Sequence, residues 1–211
     1  MLSAAHQIEN PARATRPVVA VFDFDGTITD RHTMWRFLRY VATPRAFWPS
    51  LISLGPVLAR STRSEAAMDA RRSLVARFLT GMPEDQAADY AREFVAGPLP
   101  GWIRPGALAR LRWHQARGHR TVLVSNSFET YLVPWGQSVG FDDVLGTQLE
   151  IAGGKLTGKI ASADCVGPEK VRRLTERIGD PKDFYTYVYG DSSGDRELLA
   201  VASNPFYRNW Y

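Results

Sequence analysis

Short apolar segments alternate with longer helical patterns along most of this chain. Residues 18–25, 119–127 and 184–192 each combine a run of apolar or aromatic side chains with a small polar or acidic end. Such runs predict buried strands. Helical patterns lie between them, at about 107–116 and again from Pro168 to just before Gly179, where the proline suits a helix start and the glycine a helix end. The alternation predicts an α/β fold with a mostly parallel sheet covered on both faces.

A long helical block separates the first two predicted strands. From Thr33 to about Phe94 the pattern is helical, which is too long for an ordinary crossover and predicts an inserted helical cap. The expected domains are a loose tail at 1–17, a core at 18–32 and 101–211, and the cap at 33–100. The following apolar residues are expected to face the cap interior, with the arginines elsewhere: Trp35, Leu38, Val41, Met68, Leu74, Val75, Phe78 and Leu79. A short strand and hairpin are predicted around the Gly153-Gly154 turn.

Composition changes this picture little, but the charge distribution adds to it. The chain has 211 residues, is 45% hydrophobic and carries a net charge of +4. Residues 31–80 contain nine arginines, no lysine and two acids, so this stretch carries +7 and the remainder −3. Two interpretations stay open, a solvated helix face and a surface that meets phosphate or anionic lipid. The basic residues form no nucleic-acid-binding motif, so a nucleic-acid partner is not expected.

Residues 46–59 form a charge-free segment within the basic stretch. It contains Phe47, Trp48, Leu51, Ile52, Leu54, Val57 and Leu58. Arginines flank it, as in elements that lie at a membrane interface, but the same pattern suits the interior of the cap. It is shorter than a bilayer span, which needs roughly 20 apolar residues. The N-terminus lacks an apolar run of signal-peptide length, and the single cysteine, Cys165, excludes an internal disulfide. We therefore expect a cytoplasmic protein, with peripheral contact to the inner membrane face left open.

The three strongest strand predictions end in polar residues that can carry chemistry. Asp23 and Asp25 end the first, Ser125 lies at the end of the second, and Asp191 ends the third. Because ligands bind beyond the carboxyl ends of parallel strands, these side chains are expected to meet at one edge. Clustered carboxylates need a cation, and hard oxygen ligands suit Mg²⁺. Lys170, near a predicted helix start, could neutralise a bound phosphate or a neighbouring carboxylate.

Taken in order, these motifs resemble those of a known enzyme superfamily. "DFDGT", "VLVSNS", Lys170 within "CVGPEK" and "YGDSSGD" are similar to the four motifs of haloacid dehalogenase (HAD) superfamily phosphatases. The inserted helical block resembles the C1-type cap of subfamily IB, which includes phosphoserine phosphatase. More closely, "FLRY" and "CVGPEKVRRLTERIG", ahead of the strand that ends in "YGDSSGD", resemble bacterial phosphatidylglycerophosphatase C and its uncharacterised relatives.

The resemblance implies a Rossmann-like HAD core and a mechanism with assigned residues. Asp23 would be the nucleophile that forms an aspartyl-phosphate, and Asp25 the general acid and then base. Mg²⁺ would be held by the Asp23 carboxylate, the Asp25 main-chain carbonyl and Asp191, with Asp195 in support. The residues implied in binding the substrate phosphate are Ser125, Asn126, Thr27 and Lys170.

Several alternatives remain open for the function. The substrate could be a lipid phosphate such as phosphatidylglycerophosphate, or a soluble phosphorylated metabolite as in phosphoserine phosphatase. Asn126, Ser127 and Phe128 replace the glycines that follow the motif serine in that enzyme, which argues against a simple amino-acid phosphate. A phospho-accepting receiver domain has a similar acidic cluster, but the helical insert and the terminal "GDSSGD" disfavour it, and the intact acidic set disfavours a catalytically inactive scaffold. The oligomeric state is not predicted.

Overall fold

A five-stranded parallel sheet forms the centre of the molecule. A computed structural model describes residues 16–42, 44–53 and 63–209. The sheet order is β3-β2-β1-β6-β7. Its strands are β1 (Val18–Phe22), β2 (Arg120–Phe128), β3 (Asp143–Thr147), β6 (Tyr185–Gly190) and β7 (Asn204–Tyr207), while β4 (Leu149–Ala152) and β5 (Lys155–Ile160) form a separate antiparallel hairpin. The predicted hairpin and the predicted parallel sheet are both confirmed.

Strand β1 lies in the middle of this sheet, and its register places the motif residues. Val21 pairs with Val122 on one side and with Val188 on the other. The strand ends at Phe22, three residues earlier than predicted, although the main-chain N–H of Asp23 still donates to the carbonyl of Tyr189 (2.9 Å). The chain then turns inward at Phe24, which is fully buried. The carboxyl ends of β1, β2 and β6 therefore face the same edge.

Helices cover both faces of the sheet, as the alternating pattern predicts. Within the described ranges the helices are α1 (Thr33–Val41), α2 (Pro44–Ser53), α3 (Arg63–Leu79), α4 (Glu84–Ala96), α5 (Pro105–Gln115), α6 (Glu129–Ser138), α7 (Pro168–Ile178) and α8 (Arg196–Ala200). Short 3₁₀ turns occur at Leu99–Trp102, Pro181–Asp183 and Ser193–Asp195.

Successive strand residues point to opposite faces of the sheet and build two apolar clusters. Ala20 and Phe22 join the larger cluster, with residues of α1, α3, α4, α5 and α6. Val19 and Val21 join the smaller one, with residues of α7 and α8. This two-sided burial explains why the strands read as nearly continuous apolar runs.

Helices α1 to α4 lie between β1 and β2, where the sequence predicts the insert, and two details differ from expectation. The buried face of α1 consists of Thr33, Met34, Phe37 and Leu38, whereas Trp35 and Val41 are only partly buried. The buried face of α1 is thus rotated by about one position from the predicted one. Met34, Phe37 and Leu38 have the i, i+3, i+4 spacing of a helix face, which the predicted set does not. The exact bounds of the predicted domains stay a prediction.

The second difference concerns Arg71 of α3. Sequence periodicity places the arginines away from the buried face, but Arg71 is only 2% exposed. Its guanidinium forms a salt bridge with the buried Asp164 (2.6 Å) and lies over the ring of Phe128. A buried charge that is paired in this way costs far less than an isolated one.

The β4–β5 hairpin follows the sheet strand β3 in sequence but packs against the insert. The main chain of Leu156 forms two hydrogen bonds with the segment after α3. The N–H of Gly81 donates to the Leu156 carbonyl, and the N–H of Leu156 donates to the Met82 carbonyl (both 2.8 Å). Gly158, with a φ of +80°, sits so close to α3 that a Cβ there would lie 1.9 Å from the Thr80 hydroxyl. The hairpin and the helical insert therefore pack directly against each other.

Only part of the charge-free segment 46–59 can be compared with expectation. Residues 47–50, 52 and 53 have described side chains; Phe47 is buried against Phe78, while Trp48 and Ile52 are 49% and 76% exposed. Residues 54–59 lie outside the described part of the chain, as does the predicted tail up to residue 15. No helix within the described ranges has the length and apolar character needed to cross a bilayer.

Candidate active site

Three charged side chains from separate elements meet at the carboxyl edge of the sheet. Lys170, near the start of α7, points its ammonium between Asp23, just after β1, and Asp195, which follows β6. The Nζ atom lies 2.5 Å from Asp23 Oδ1 and 2.6 Å from Asp195 Oδ1. All three residues are at most 5% exposed. The lysine is thus the buried counter-ion of two carboxylates.

The electrostatics of this cluster are set by burial and by mutual pairing. Burial raises the pKa of Asp23 to about 7, although Lys170 partly opposes this shift. Burial alone would raise the pKa of Asp195, but Lys170 and hydrogen bonds from Ser192 outweigh it and lower the pKa below its ordinary value. Burial would likewise lower the pKa of Lys170, but the two carboxylates raise it, so the lysine stays charged. One further cation near Asp23 would favour its ionised form.

A third carboxylate completes a group that fits a metal ion. Asp191 follows β6, and one ligand atom from each of Asp23, Asp191 and Asp195 lies within 4.8 Å of the others. Asp191 Oδ1 is buried without a hydrogen-bond partner among the described residues. Both oxygens of Asp195, in contrast, are occupied by Lys170, Ser192 and the Asp191 main chain. The donor set of hard, anionic oxygens suits Mg²⁺, with Asp191 free to bind and Asp195 fixing the loop.

Gly26 allows the first motif to approach Asp191 closely. It has a φ of +87°, a region that favours glycine, and a Cβ at this position would lie 2.2 Å from Asp191 Oδ2. The tight turn after Asp25 therefore brings the β1 loop directly against the β6 loop. This contact places the loop that follows Asp23 and Asp25 beside Asp191.

The Asp25 carboxyl group has surroundings of a different kind. Its Oδ1 accepts hydrogen bonds from the main-chain N–H (2.9 Å) and the hydroxyl (2.6 Å) of Thr33, and its Oδ2 accepts from Ser127 (3.0 Å). Burial raises the pKa of Asp25 above its ordinary value, although these donors work against the shift. Its carboxyl group is not part of the metal-suited cluster. Asp23 and Asp25 thus have separate partners.

The predicted phosphate-binding residues occupy the same region in different ways. Ser125 is buried, and its hydroxyl accepts from the Ser127 main chain (3.1 Å). Thr27 is buried in the turn after Asp25, and its hydroxyl has no hydrogen-bond partner among the described residues. The side-chain oxygen of Asn126 instead accepts from Arg71 (2.6 Å) and Thr147 (3.1 Å). A phosphate role for these residues stays a prediction.

Thr33, Ser127, Tyr131 and Arg71 also reach this region, and none of them was among the predicted site residues. Thr33 is the first residue of α1, and only its place at the start of a helical pattern could have drawn attention to it. Ser127 lies at a position where the resemblance to phosphoserine phosphatase implies a glycine, and the sequence alone assigns this difference no role in the site. Arg71 lies in a predicted helix, whereas Tyr131 lies in α6, a helix that was not predicted. In neither case can sequence periodicity show which distant residues the side chain contacts.

Comparison with known proteins decides the family. A family model described as haloacid dehalogenase-like hydrolase matches residues 20–200. The chain belongs to the haloacid dehalogenase-like hydrolases. Among curated relatives of this hydrolase, protein CicA of Caulobacter vibrioides is 34% identical over 91% of this chain and 86% of its own length. A phosphoserine phosphatase of Idiomarina loihiensis is 32% identical (68% and 66%), and a histidinol-phosphatase of Neisseria meningitidis is 30% identical (58% of both).

Solved structures show the same haloacid dehalogenase-like fold. A protein of unknown function from Bordetella pertussis Tohama I has a TM-score of 0.74 and 23% identity, covering 90% of this chain and 88% of its own. A phospho-aspartyl intermediate analogue of phosphoserine phosphatase has a TM-score of 0.57 and 17% identity, with 89% and 84% covered. With these relatives and the acidic site, this haloacid dehalogenase-like hydrolase is a phosphatase, and the predicted enzyme class is confirmed.

Proposed function

We propose that this phosphatase hydrolyses phosphomonoesters with Mg²⁺ and through an aspartyl-phosphate formed on Asp23. The observation that carries the proposal is the division of the two motif carboxylates. Asp23 lies against Lys170 within the metal-suited cluster, whereas Asp25 is held by hydroxyl and main-chain donors outside it. Two neighbouring carboxyl groups in different surroundings are what a nucleophile and a general acid need.

The chemistry follows from these positions in two displacement steps. A carboxylate oxygen of Asp23 forms a bond to phosphorus while the bond from phosphorus to the leaving oxygen breaks, and Asp25 gives its proton to that oxygen. Water then attacks the same phosphorus, Asp25 takes a proton from it, and the bond to Asp23 breaks to release phosphate. Lys170 stays charged throughout and can stabilise negative charge near Asp23.

The residues that would hold Mg²⁺ are the Asp23 carboxylate, the Asp25 main-chain carbonyl and Asp191. When bound, the ion would supply positive charge to the phosphoryl oxygens and favour the ionised form of Asp23. Asp195 would not bind directly, because its oxygens are used by Lys170 and the Ser192 turn. It would instead keep Asp191 and Lys170 in place.

A phosphorylated small molecule is the substrate class that the comparisons favour, since two curated relatives are named for phosphoserine and histidinol phosphate. A lipid head group is a second candidate. It is favoured by the exposed Trp48 and Ile52 of α2, with the Arg39 guanidinium over the Trp48 ring. Phosphate release from water-soluble phosphomonoesters and from phosphatidylglycerophosphate in anionic vesicles separates the two substrate classes.

Phosphate release should require Mg²⁺ and should be inhibited by Ca²⁺. Ca²⁺ is larger and takes more oxygen ligands, so it can engage both oxygens of Asp23 and hinder their attack on phosphorus. The measurement is steady-state phosphate release with excess chelator, with Mg²⁺ restored, and with Ca²⁺ added at fixed Mg²⁺. Full activity in chelator would contradict the metal-dependent mechanism.

Replacing Asp25 by asparagine should slow hydrolysis of the aspartyl-phosphate more than its formation from a good leaving group. The nucleophile remains, and p-nitrophenolate can depart without a strong acid, but the attacking water has lost its base. We expect a burst of about one p-nitrophenol per enzyme followed by slow turnover. Rapid-mixing absorbance measures both phases, and equal losses on aryl and alkyl phosphates without a burst would argue against the role of Asp25.

A further inference from the structure

Three buried hydroxyl groups from three elements surround the Asp25 carboxyl group. Thr33 begins α1, Ser127 lies near the end of β2, and Tyr131 lies in the first turn of α6; all three are fully buried. Thr33 Oγ1 is 2.6 Å from Asp25 Oδ1, 3.2 Å from Ser127 Oγ and 2.9 Å from the Tyr131 hydroxyl. Thr33 is therefore the junction of the cluster.

Counting hydrogens fixes the direction of these bonds when Asp25 is ionised. Each hydroxyl has one hydrogen, and a carboxylate can only accept. Thr33 must give its hydrogen to Asp25 Oδ1, so Tyr131 must donate to Thr33. Ser127 gives its hydrogen to Asp25 Oδ2 (3.0 Å). Burial and the nearby Asp25 raise the pKa of Tyr131, so its hydroxyl keeps the hydrogen it donates.

The two oxygens of Asp25 consequently differ. Oδ1 accepts two hydrogen bonds from Thr33, one from the main chain and one from the hydroxyl. Among the described residues, the hydrogen-bond donor to Oδ2 is the Ser127 hydroxyl, which can turn its hydrogen to Thr33 Oγ1 at 3.2 Å instead. Oδ1 is thus the anchored oxygen, and Oδ2 is the one whose surroundings accommodate a proton.

We propose that Thr33, supported by Tyr131 and Ser127, is a positioning residue that anchors Asp25 by Oδ1 and leaves Oδ2 to exchange the catalytic proton. This inference rests on the proposed function, in which Asp25 is the general acid and base. During the first step the Oδ2–H bond breaks, the leaving oxygen receives the proton, and that oxygen keeps the electron pair of its former bond to phosphorus. Ser127 then turns its hydrogen back to Oδ2.

The arrangement also links the acid to the helical insert. Thr33 belongs to α1 of the insert, whereas Ser127 and Tyr131 belong to elements that follow it. Asp25 therefore has its full set of donors only when the start of α1 is seated against β2 and α6.

Leaving-group dependence tests the proposal. Thr33→Val keeps the side-chain shape and removes the hydroxyl, and it should lower kcat/KM on an alkyl phosphate by on the order of 10- to 100-fold. The loss on p-nitrophenyl phosphate should be several-fold smaller, since that leaving group needs little protonation. Thr33→Ser should restore both values to within about threefold of the parent, because it returns the hydroxyl. Tyr131→Phe should show the same pattern more weakly.

Thr186→Val is the matched control. Thr186 is also a buried threonine, and its hydroxyl accepts from the Ser203 main chain (2.9 Å) away from Asp25. Its loss should leave the alkyl-to-aryl activity ratio unchanged. An unchanged ratio in Thr33→Val, or no recovery in Thr33→Ser, would overturn the inference.

Two further results keep the test decisive. If thermal melting shows that Thr33→Val is unfolded, the alkyl-to-aryl activity ratio is measured in Ser127→Ala and Tyr131→Phe instead. An unchanged ratio in both variants overturns the proposal. Failure of the proposed function appears elsewhere, as a parent protein without Mg²⁺-dependent phosphate release or an Asp23→Asn variant that still turns over. An active parent with an unchanged ratio rejects only the positioning role.

Discussion

Replacing Asp23 by asparagine should abolish multiple turnover, with a loss on the order of 10³-fold or more. The change keeps the shape of the side chain but removes the charge that attacks phosphorus. The fold should persist, because Lys170 keeps Asp195 as a partner at 2.6 Å and the asparagine oxygen can still accept its hydrogen bond. Steady-state phosphate release and thermal melting on the same preparation measure the two effects.

Asp143→Asn is the matched control for this variant. Asp143, the first residue of β3, is another buried aspartate. It pairs with Arg120 of β2 and Arg177 of α7, away from the cluster. Its replacement should lower the melting temperature while most of kcat remains. Sustained turnover by Asp23→Asn, at a rate comparable with Asp143→Asn, would exclude Asp23 as the nucleophile.

Replacing Lys170 by methionine should have the largest effect on stability. The change leaves Asp23 and Asp195 buried without their shared counter-ion, and breaking a buried pair in this way costs about 3–5 kcal/mol of unfolding free energy. Added Mg²⁺ should recover part of the loss if the ion binds beside Asp23, because it would replace the missing positive charge. Urea unfolding with and without Mg²⁺ measures both values.

Arg177→Met tests whether the loss of unfolding free energy in Lys170→Met arises from the burial of the lysine. Arg177 also pairs with a buried carboxylate, but its side chain is 56% exposed, and Asp143 keeps Arg120 as a second partner. Its loss should therefore cost no more than about 1 kcal/mol. Similar losses for the two variants would mean that Lys170 is not the main counter-ion of the cluster.

Much of the fold was predictable because a parallel sheet leaves a simple pattern. Strands buried on both faces give short apolar runs, and their carboxyl ends meet at one edge, so Asp23 and Asp191 could be placed together from sequence. The first strand was extended too far because Asp23, Phe24 and Asp25 alternate in polarity like strand residues. In fact Phe24 is buried in the turn that Gly26 completes.

The remaining features depend on contacts between distant segments, which periodicity cannot show. Arg71 reads as a surface residue of a helix, yet it is buried because Asp164 and Asn126 provide its partners. The roles of Thr33 and Tyr131 likewise depend on hydroxyl groups that meet across three elements. The local sequence shows that such polar groups are present, but it does not show which residues will become their hydrogen-bond or ion-pair partners.

The packing of the β4–β5 hairpin has a consequence for protein engineering. A chimera that exchanges only residues 33–100 with those of a relative would change the side chains of the apolar cluster that Leu156 joins, and also the close fit of Gly158 against Thr80. The grafted helices would then meet a hairpin shaped for other side chains. Residues 149–160 therefore need to be transplanted together with the helical insert, although they lie some fifty residues further along the chain.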